Sequence, residues 1–329
     1  MPRPVHQWLP EQWLGRGLAA QCLRPLAWIY GALSWARRLA YRQGWLNMQR
    51  LEATVIVVGN VVAGGGGKTP LTMAIVQRLT QQGHQVGVVS RGYGRTQDQI
   101  QLVNAQSSAD QVGDEPLLIF QKCQVPVAVG ANRVATAQQL LHQHPNIRFI
   151  VCDDGLQHAA LQRDIEICVM DSMGIGNGHL LPAGPLRESW PRTVDLLLHT
   201  QRRTLAEGFE STRQLSAQAI NGLGQSIELT ALQNESVEVV CGIAKPKAFA
   251  HMLEERGIQI AQFHALPDHA NFSNWHASHP HLKLLCTEKD AIKLWATHPE
   301  AFAVPLLFEP ELSFWQAFDA LVNTRHRYH

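Results

Sequence analysis

Residues 54–69, Thr-Val-Ile-Val-Val-Gly-Asn-Val-Val-Ala-Gly-Gly-Gly-Gly-Lys-Thr, decide how this chain is read. A β-branched run, Thr54 to Val58, leads into four consecutive glycines, Gly64 to Gly67. Lys68 and Thr69 follow, and Pro70 opens a helical pattern that runs to about Gln82. A strand, a glycine loop and a helix N-terminus form a phosphate cradle. Glycines let backbone N–H groups turn onto phosphate oxygens, and the helix dipole favours the anion. Lys68 can reach β/γ-phosphates and the Thr69 hydroxyl can take a place on Mg²⁺. Pro70 fits the first helical turn, where its missing N–H costs nothing. Ala63, Gly64, Gly65, Gly66, Gly67, Lys68, Thr69 and Pro70 are therefore the expected nucleotide-binding residues. The spelling departs from G-x-x-x-x-G-K-[ST] at its first glycine, where Val62 stands; Gly64 and Gly65 can make the turn instead.

Outward from this segment, strand and helix patterns alternate from Thr54 to about Thr200. Apolar runs suited to buried parallel strands are 54–58, 85–90, 125–129, 148–152, 165–170 and 194–199, with helices at 70–82 and 131–143. That rhythm predicts an α/β fold with nucleotide loops at the carboxyl ends of its strands. Residues 201–236 turn more polar and read as short strands and turns. A second α/β rhythm follows: strands 237–241, 258–263, 282–286 and 304–308, helices 246–256, 288–296 and 312–323. The expected organisation is a segment 1–50, a nucleotide-binding domain 51–200 of the P-loop NTPase kind, and a smaller α/β domain 201–329. The last helix is free to pack back on the first domain.

At 329 residues the chain can hold one large domain or two ordinary ones, and its net charge of +1 is unremarkable. The average hides an asymmetry. Residues 1–50 contain seven Arg (3, 16, 24, 37, 38, 42, 50), no Lys and one acid, Glu11. The remainder holds 21 basic and 26 acidic residues, so a basic end sits on an acidic body and suits an anionic partner. The six cysteines (22, 123, 152, 168, 241, 286) are scattered without a C-x-x-C pair and read as buried thiols. His276, His279 and His281 lie in a polar stretch with no neighbouring Cys or acid, which favours a surface loop over a metal site.

Five of the nine tryptophans (8, 13, 28, 35, 45) fall in the first 45 residues. The uncharged run from Pro25 to Ala36 is bracketed by Arg24, Arg37 and Arg38, too closely for the ~20 apolar residues of a membrane span. Tryptophan and tyrosine flanked by arginine suit an amphipathic helix lying in a lipid interface. Residues 8–45 are therefore expected to be membrane-associated.

A second group of residues carries carboxylates. The strand 148–152 ends in Asp153-Asp154-Gly155, and a strand-end carboxylate beside a phosphate loop holds Mg²⁺ directly or through water. Two adjacent Asp point to opposite faces and cannot share one task. Gly113-Asp114-Glu115-Pro116 precedes a helix, so Asp114 also fits an N-cap. Leu181 to Glu188 is a Pro-rich loop carrying Arg187-Glu188, and Pro267-Asp268-His269 places an acid next to an imidazole.

With these segments in hand, the chain closely resembles the tetraacyldisaccharide 4'-kinase family, the lipid A kinases of Gram-negative bacteria, over nearly its whole length. The resemblance rests on Val58-Gly59-Asn60 with Gly64 to Pro70, Ser90-Arg91-Gly92-Tyr93-Gly94-Arg95, Gly113 to Pro116, and Asp153-Asp154-Gly155-Leu156-Gln157-His158. It continues through Leu181 to Glu188, Pro267 to His269, and Thr287-Glu288-Lys289-Asp290. The family loop also lacks a first glycine; Gly66 departs from it, where Thr or Ser is frequent. The resemblance implies transfer of the ATP γ-phosphate, with Mg²⁺, to the 4'-hydroxyl of a tetra-acylated glucosamine disaccharide 1-phosphate. It implies Asp114 as proton acceptor with His269 tuning it across the domain cleft, and Asp268 holding His269. It implies Thr69, Asp153, Asp154 and Glu188 near the metal, and Asn60, Arg91, Arg133, His158 and Arg187 near phosphates or substrate. It places the protein on the cytoplasmic face of the inner membrane, peripheral or monotopic, held by membrane lipids through its amino-terminal segment, with no nucleic-acid partner.

Phosphoryl transfer asks for positioning and charge neutralisation, which these lysine, arginine and carboxylate residues suit. Rival readings stay open at this point. A partitioning ATPase of the deviant-loop kind would carry a second lysine where Ala63 stands. A GTPase would need a guanine-reading segment, for which Thr287-Glu288-Lys289-Asp290 is a partial match. A membrane-bound nucleotide sensor would bind without turnover.

Overall fold

The strand Thr54–Gly59 is buried along its whole length, as a run of β-branched residues covered on both faces must be. The computed structural model describes residues 13, 15, 17–64, 66–203, 205 and 207–326. Parallel partners flank that strand: Phe149–Asp153 on one side, then Val86–Ser90, and Ile165–Met170 on the other, then Leu196–His199. The register sets Val58 opposite Asp153, so the glycine loop and the Asp-Asp-Gly turn leave from the same sheet edge. Helix Lys68–Gln81 buries Leu71, Thr72, Ile75, Val76 and Leu79 along one face, at the 3.6-residue spacing read from the sequence. Helix Arg133–Gln143 is capped by Asn132, whose side chain accepts from the N–H groups of Val134 and Ala135.

The contacts divide the chain into two compact units, and not at the expected boundary of 200/201. One unit holds residues up to Arg91, Gly130–Ser211 and Pro310 onward; the other holds Gly92–Val129 and Thr212–Glu309. Residues 92–129 join the second unit because helix Asp114–Cys123 packs on helix Glu288–Leu294. Lys122 pairs with Glu288 along that contact. The last helix, Leu312–Arg325, belongs to the first unit, where Arg78 donates to Asp319 at 2.6 Å.

The second unit is built on a six-stranded mixed sheet. Its order is Ser226–Glu228, Gln218–Asn221, Phe302–Val304, Lys283–Thr287, Ser236–Cys241, Gln259–Ala265. The central strands are parallel and the two short ones pair antiparallel at one edge. The single strand expected at 304–308 is two, Phe302–Val304 and Leu306–Pro310, divided at Pro305, which has no N–H to give a ladder. Leu285, Val237, Val239, Leu253 and Phe249 fill the core on one side of this sheet.

Toward the amino terminus, helix Leu18–Arg42 lies in the first unit. Leu26, Trp28, Ile29, Leu33 and Trp35 are exposed on it, while Ala20 and Ala27 are buried. Its expected continuation over residues 8–12 lies outside the described residues, as do Arg3 and Arg16. Among the described residues no helix is long and apolar enough to cross a membrane.

Candidate active site

In the first unit the loop after Thr54–Gly59 closes where its glycines were expected. Gly64 has φ +107° and Gly67 has φ +86°, left-handed values that cost a side chain strain. Gly65 lies outside the described residues. Gly67 is the N-cap of helix Lys68–Gln81, so Pro70 sits in its first turn. The Lys68 ammonium lies 3.4 Å from the Gly64 carbonyl and 3.7 Å from Asp154, folded over the loop. A Cβ added at Gly66 would lie 2.8 Å from the Asn60 amide nitrogen, so a larger residue there must displace that side chain.

The loop is propped from a distant part of the sequence. Ala63 N–H donates to the Pro185 carbonyl and Arg187 N–H to the Val61 carbonyl, both at 2.7 Å. That pairing carries Arg187 to Asp154, whose two oxygens accept from its guanidinium at 3.1 and 3.0 Å. Burial pushes the Asp154 proton affinity up, but Lys68 and Arg187 outweigh it and leave the carboxyl below its usual range. Asp153 faces the other way, accepting the Thr72 hydroxyl at 3.0 Å inside the core. The two acids therefore do diverge, as neighbours at a strand end must.

Arg133 is buried, donating to the Gly130 carbonyl at 2.6 Å. Burial, with Arg133 and Arg91 nearby, pushes the His158 imidazole down to about 4, so it is neutral at physiological pH. Arg91 itself is exposed. Glu188 is placed differently from its expected metal role. It is buried and its carboxylate is taken by Arg192 at 2.5 Å, Arg38 at 3.4 Å and Gln157 at 2.8 Å. A carboxylate saturated by two guanidiniums and an amide holds the loop together and has little left for a cation. Gln157 was not expected in the site; its amide also donates to the Asn60 carbonyl at 3.1 Å. Its position inside the Asp-Asp-Gly-Leu-Gln-His segment was the available signal.

The residues fit a nucleotide and Mg²⁺. Asn60 Oδ1 and Arg133 Nε are buried without a hydrogen-bond partner among the described residues, an arrangement that costs free energy unless a ligand meets them. Thr69, Asp153 and Asp154 supply hard oxygens. Among the described residues no group of three or more His, Cys, Asp or Glu forms a cation cage.

The second unit carries the acid–imidazole pair. Gly113, φ +90°, is the N-cap of helix Asp114–Cys123, and a Cβ there would lie 3.0 Å from Gly92 Cα. Asp114 is thus the first helical residue, not the cap. Its oxygens lie 3.0 and 2.9 Å from His269 Nδ1, and one accepts the Glu115 N–H at 2.9 Å. Both partners belong to the same unit, so no boundary between domains separates them. Burial raises the Asp114 proton affinity, but the His269 hydrogen bond and the charges of Lys289, His269 and Lys293 bring it down to about 2. The raised affinity expected of a lone base is therefore absent. The pair supplies it instead: burial lowers the His269 pKa, yet the bond to Asp114 carries it above the usual imidazole value.

His269 has φ +62°, an uncommon conformation for a non-glycine residue. Its N–H donates to the Gly242 carbonyl at 3.1 Å and to Asp268 at 3.0 Å. Asp268 holds the backbone of His269 and not the ring, whose Nε2 is 3.8 Å away. Lys289 was noted only as part of Thr287-Glu288-Lys289-Asp290, without a role beside the pair, and Lys293 was missed. Lys293 reaches Asp114 at 3.3 Å, and Lys289 reaches Asp268 at 3.1 Å and Glu115 at 3.2 Å. Their i, i+4 spacing on one helix was the only local sign that they share a face. The same segment disposes of the guanine reading. The Thr287 side chain caps the helix by accepting Asp290 N–H at 3.2 Å, and Asp290 is fully buried, unable to meet a base.

Comparison with known proteins shows the family to which the chain belongs. The family described as tetraacyldisaccharide-1-P 4'-kinase matches residues 19–327. A tetraacyldisaccharide 4'-kinase of Acidovorax sp. (strain JS42) is 48% identical over 322 residues, covering 97% of this chain and 95% of that protein. Its counterpart in Polaromonas sp. (strain JS666) is 49% identical over 319 residues, covering 94% of each. The crystal structure of LpxK from Aquifex aeolicus in complex with ATP superposes with a TM-score of 0.82 at 26% identity, covering 94% of this chain and all of that one. With a match of this extent over both units, the chain belongs to the tetraacyldisaccharide 4'-kinase family.

Proposed function

We propose that the residues described above carry out the family's reaction as follows. The chain is an ATP-dependent kinase that phosphorylates the 4'-hydroxyl of the lipid A disaccharide precursor. The acceptor is the tetraacyl glucosamine disaccharide 1-phosphate and the product lipid IVA. The backbone of Ala63 to Thr69 cradles the triphosphate, Lys68 neutralises β/γ charge, and Arg187 and Arg133 balance the charge that spreads over the transferred group. Thr69 with Asp153 or Asp154 would hold Mg²⁺, which would supply further neutralisation of the phosphate charge. The Asp114–His269 pair takes the proton of the sugar hydroxyl as the hydroxyl oxygen attacks the γ-phosphorus, whose bond to the β-phosphate oxygen breaks to release ADP. His158, neutral, donates a hydrogen bond without adding charge. Glu188 and Gln157 hold the loop that presents Arg187.

The observation that carries this assignment is the meeting of Lys68, Asp154 and Arg187 at the N-terminus of helix Lys68–Gln81, a concentrated cationic lining beside a glycine turn. Helix Leu18–Arg42 serves as the membrane contact, its exposed Leu26, Trp28, Ile29, Leu33 and Trp35 entering the lipid interface on the cytoplasmic face. Incubation with γ-labelled ATP and the disaccharide acceptor, followed by thin-layer separation, should yield a labelled lipid of greater polarity. ATP binding without that product would reduce the protein to a nucleotide sensor.

A further inference from the structure

The ring of His269 is gripped at both nitrogens, and only one grip belongs to the pair described so far. Nδ1 faces the Asp114 carboxylate at 2.9 and 3.0 Å; Nε2 faces the Lys289 ammonium at 3.4 Å. An ionised carboxylate only accepts hydrogen bonds, so Nδ1 carries a proton. An ammonium only donates, so Nε2 meets it with a lone pair. The ammonium is itself fixed, by Asp268 at 3.1 Å and Glu115 at 3.2 Å, with its side chain 17% exposed.

We infer that Lys289 is a positioning residue for the proton-accepting pair: its ammonium holds His269 in the Nδ1–H form, with Nε2 unprotonated, and opposes premature charging of the ring. This inference rests on the assignment of Asp114–His269 as the acceptor of the sugar proton. A pair that has already taken a proton from solvent has no place for the one leaving the hydroxyl. Two carboxylates, Asp114 and Asp268, draw protons onto the imidazole and Lys289 is the cation set against them, with Glu115 paired to Lys289 and Lys293 paired to Asp114. From the remaining side, the Tyr93 ring stacks at a tilt, centroid to centroid 5.0 Å. The Asp114 bond raises the His269 proton affinity and the Lys289 charge lowers it. Without Lys289 the ring would charge at a higher pH and the pair would lose its vacancy for the substrate proton.

The full chain, ¹⁵N-labelled at histidine and compared with His269→Gln to assign the ring, tests this. Above its titration midpoint, wild-type His269 should show Nδ1–H and a bare Nε2; the opposite tautomer overturns the inference without any lysine variant. Lys289→Met should raise the midpoint by about one pH unit, the lower end of what a charge at this range does. Lys289→Arg, which keeps the charge, should stay near wild type. An unmoved midpoint in Lys289→Met, or an equal shift in Lys289→Arg, overturns the role assigned to the charge. The acid limb of kcat/KM should move up with the midpoint. A midpoint that moves while the limb stays supports the hold of Lys289 on the ring and removes the pair from the proton transfer.

Discussion

At the scale of single residues, the proposed reaction rests on a few charges whose neighbours set their state. Lys68 folds over Gly64 toward Asp154 and contributes little to the core. Lys68→Ala should therefore lower kcat/KM by about 10²-fold or more, the worth of one preorganised charge on a transition state, with the circular dichroism spectrum unchanged. Wild-type turnover in that variant would remove the loop from the ATP site. For the pair, Asp114→Asn should cost roughly 10² to 10⁴ in turnover, the usual contribution of a general base. His269→Ala should cost less. The double variant should fall short of the product of the two losses, because residues acting as one unit are non-additive. Strictly multiplicative losses in initial-rate measurements would show that the two act independently.

At the scale of elements, helix Leu18–Arg42 has one side tied to its unit and another left exposed. Tyr30 OH donates to the Arg187 carbonyl at 2.8 Å and Arg38 reaches Glu188, which ties the helix to the loop carrying Arg187. On the other face Trp28, Leu33 and Trp35 stand 61–67% exposed, a concentration of apolar surface that water disfavours. Replacing these three with Ser should leave stability nearly unchanged, within about 0.5 kcal/mol per site. Co-sedimentation with anionic vesicles should fall sharply, and Arg37→Glu with Arg42→Glu should deepen the loss. Retained sedimentation would sink the membrane role. Arg38 is left out because its loss would disturb Glu188 directly. In the second unit, Gly113→Ala forces a Cβ against Gly92 at φ +90° and should destabilise by about 1–3 kcal/mol in denaturant titrations.

At the scale of the whole molecule, the same charges make stability depend on pH with a defined sign. Asp114 has its proton affinity lowered on folding, from 3.8 to about 2. Its contribution, on the order of 2 kcal/mol, is present above the unfolded value and lost as pH falls through the folded one. His269 is raised, so its contribution is full below the ordinary imidazole value and lost as pH climbs past the folded one. Urea midpoints measured from pH 2 to 9 should fall at both ends, and Asp114→Asn should flatten both limbs. Unchanged limbs in that variant would mean that other groups carry the pH dependence. Much of the fold was legible beforehand, because its signals are local. A β-branched strand, glycines at positive φ and Lys-Thr at a helix start are set within sixteen residues, and apolar runs of four to six residues place the remaining central strands. What only the tertiary structure decided are contacts without a local signature. Asp114 meets His269 across 155 residues and Lys293 across 179, and residues 92–129 leave the first α/β unit for the second. Glu188 reads as a metal ligand in the chain, and two arginines and Gln157 occupy it in the fold. Local sequence fixes backbone geometry through sterics and periodicity, whereas the state of a charge depends on every group that burial brings within a few ångströms of it.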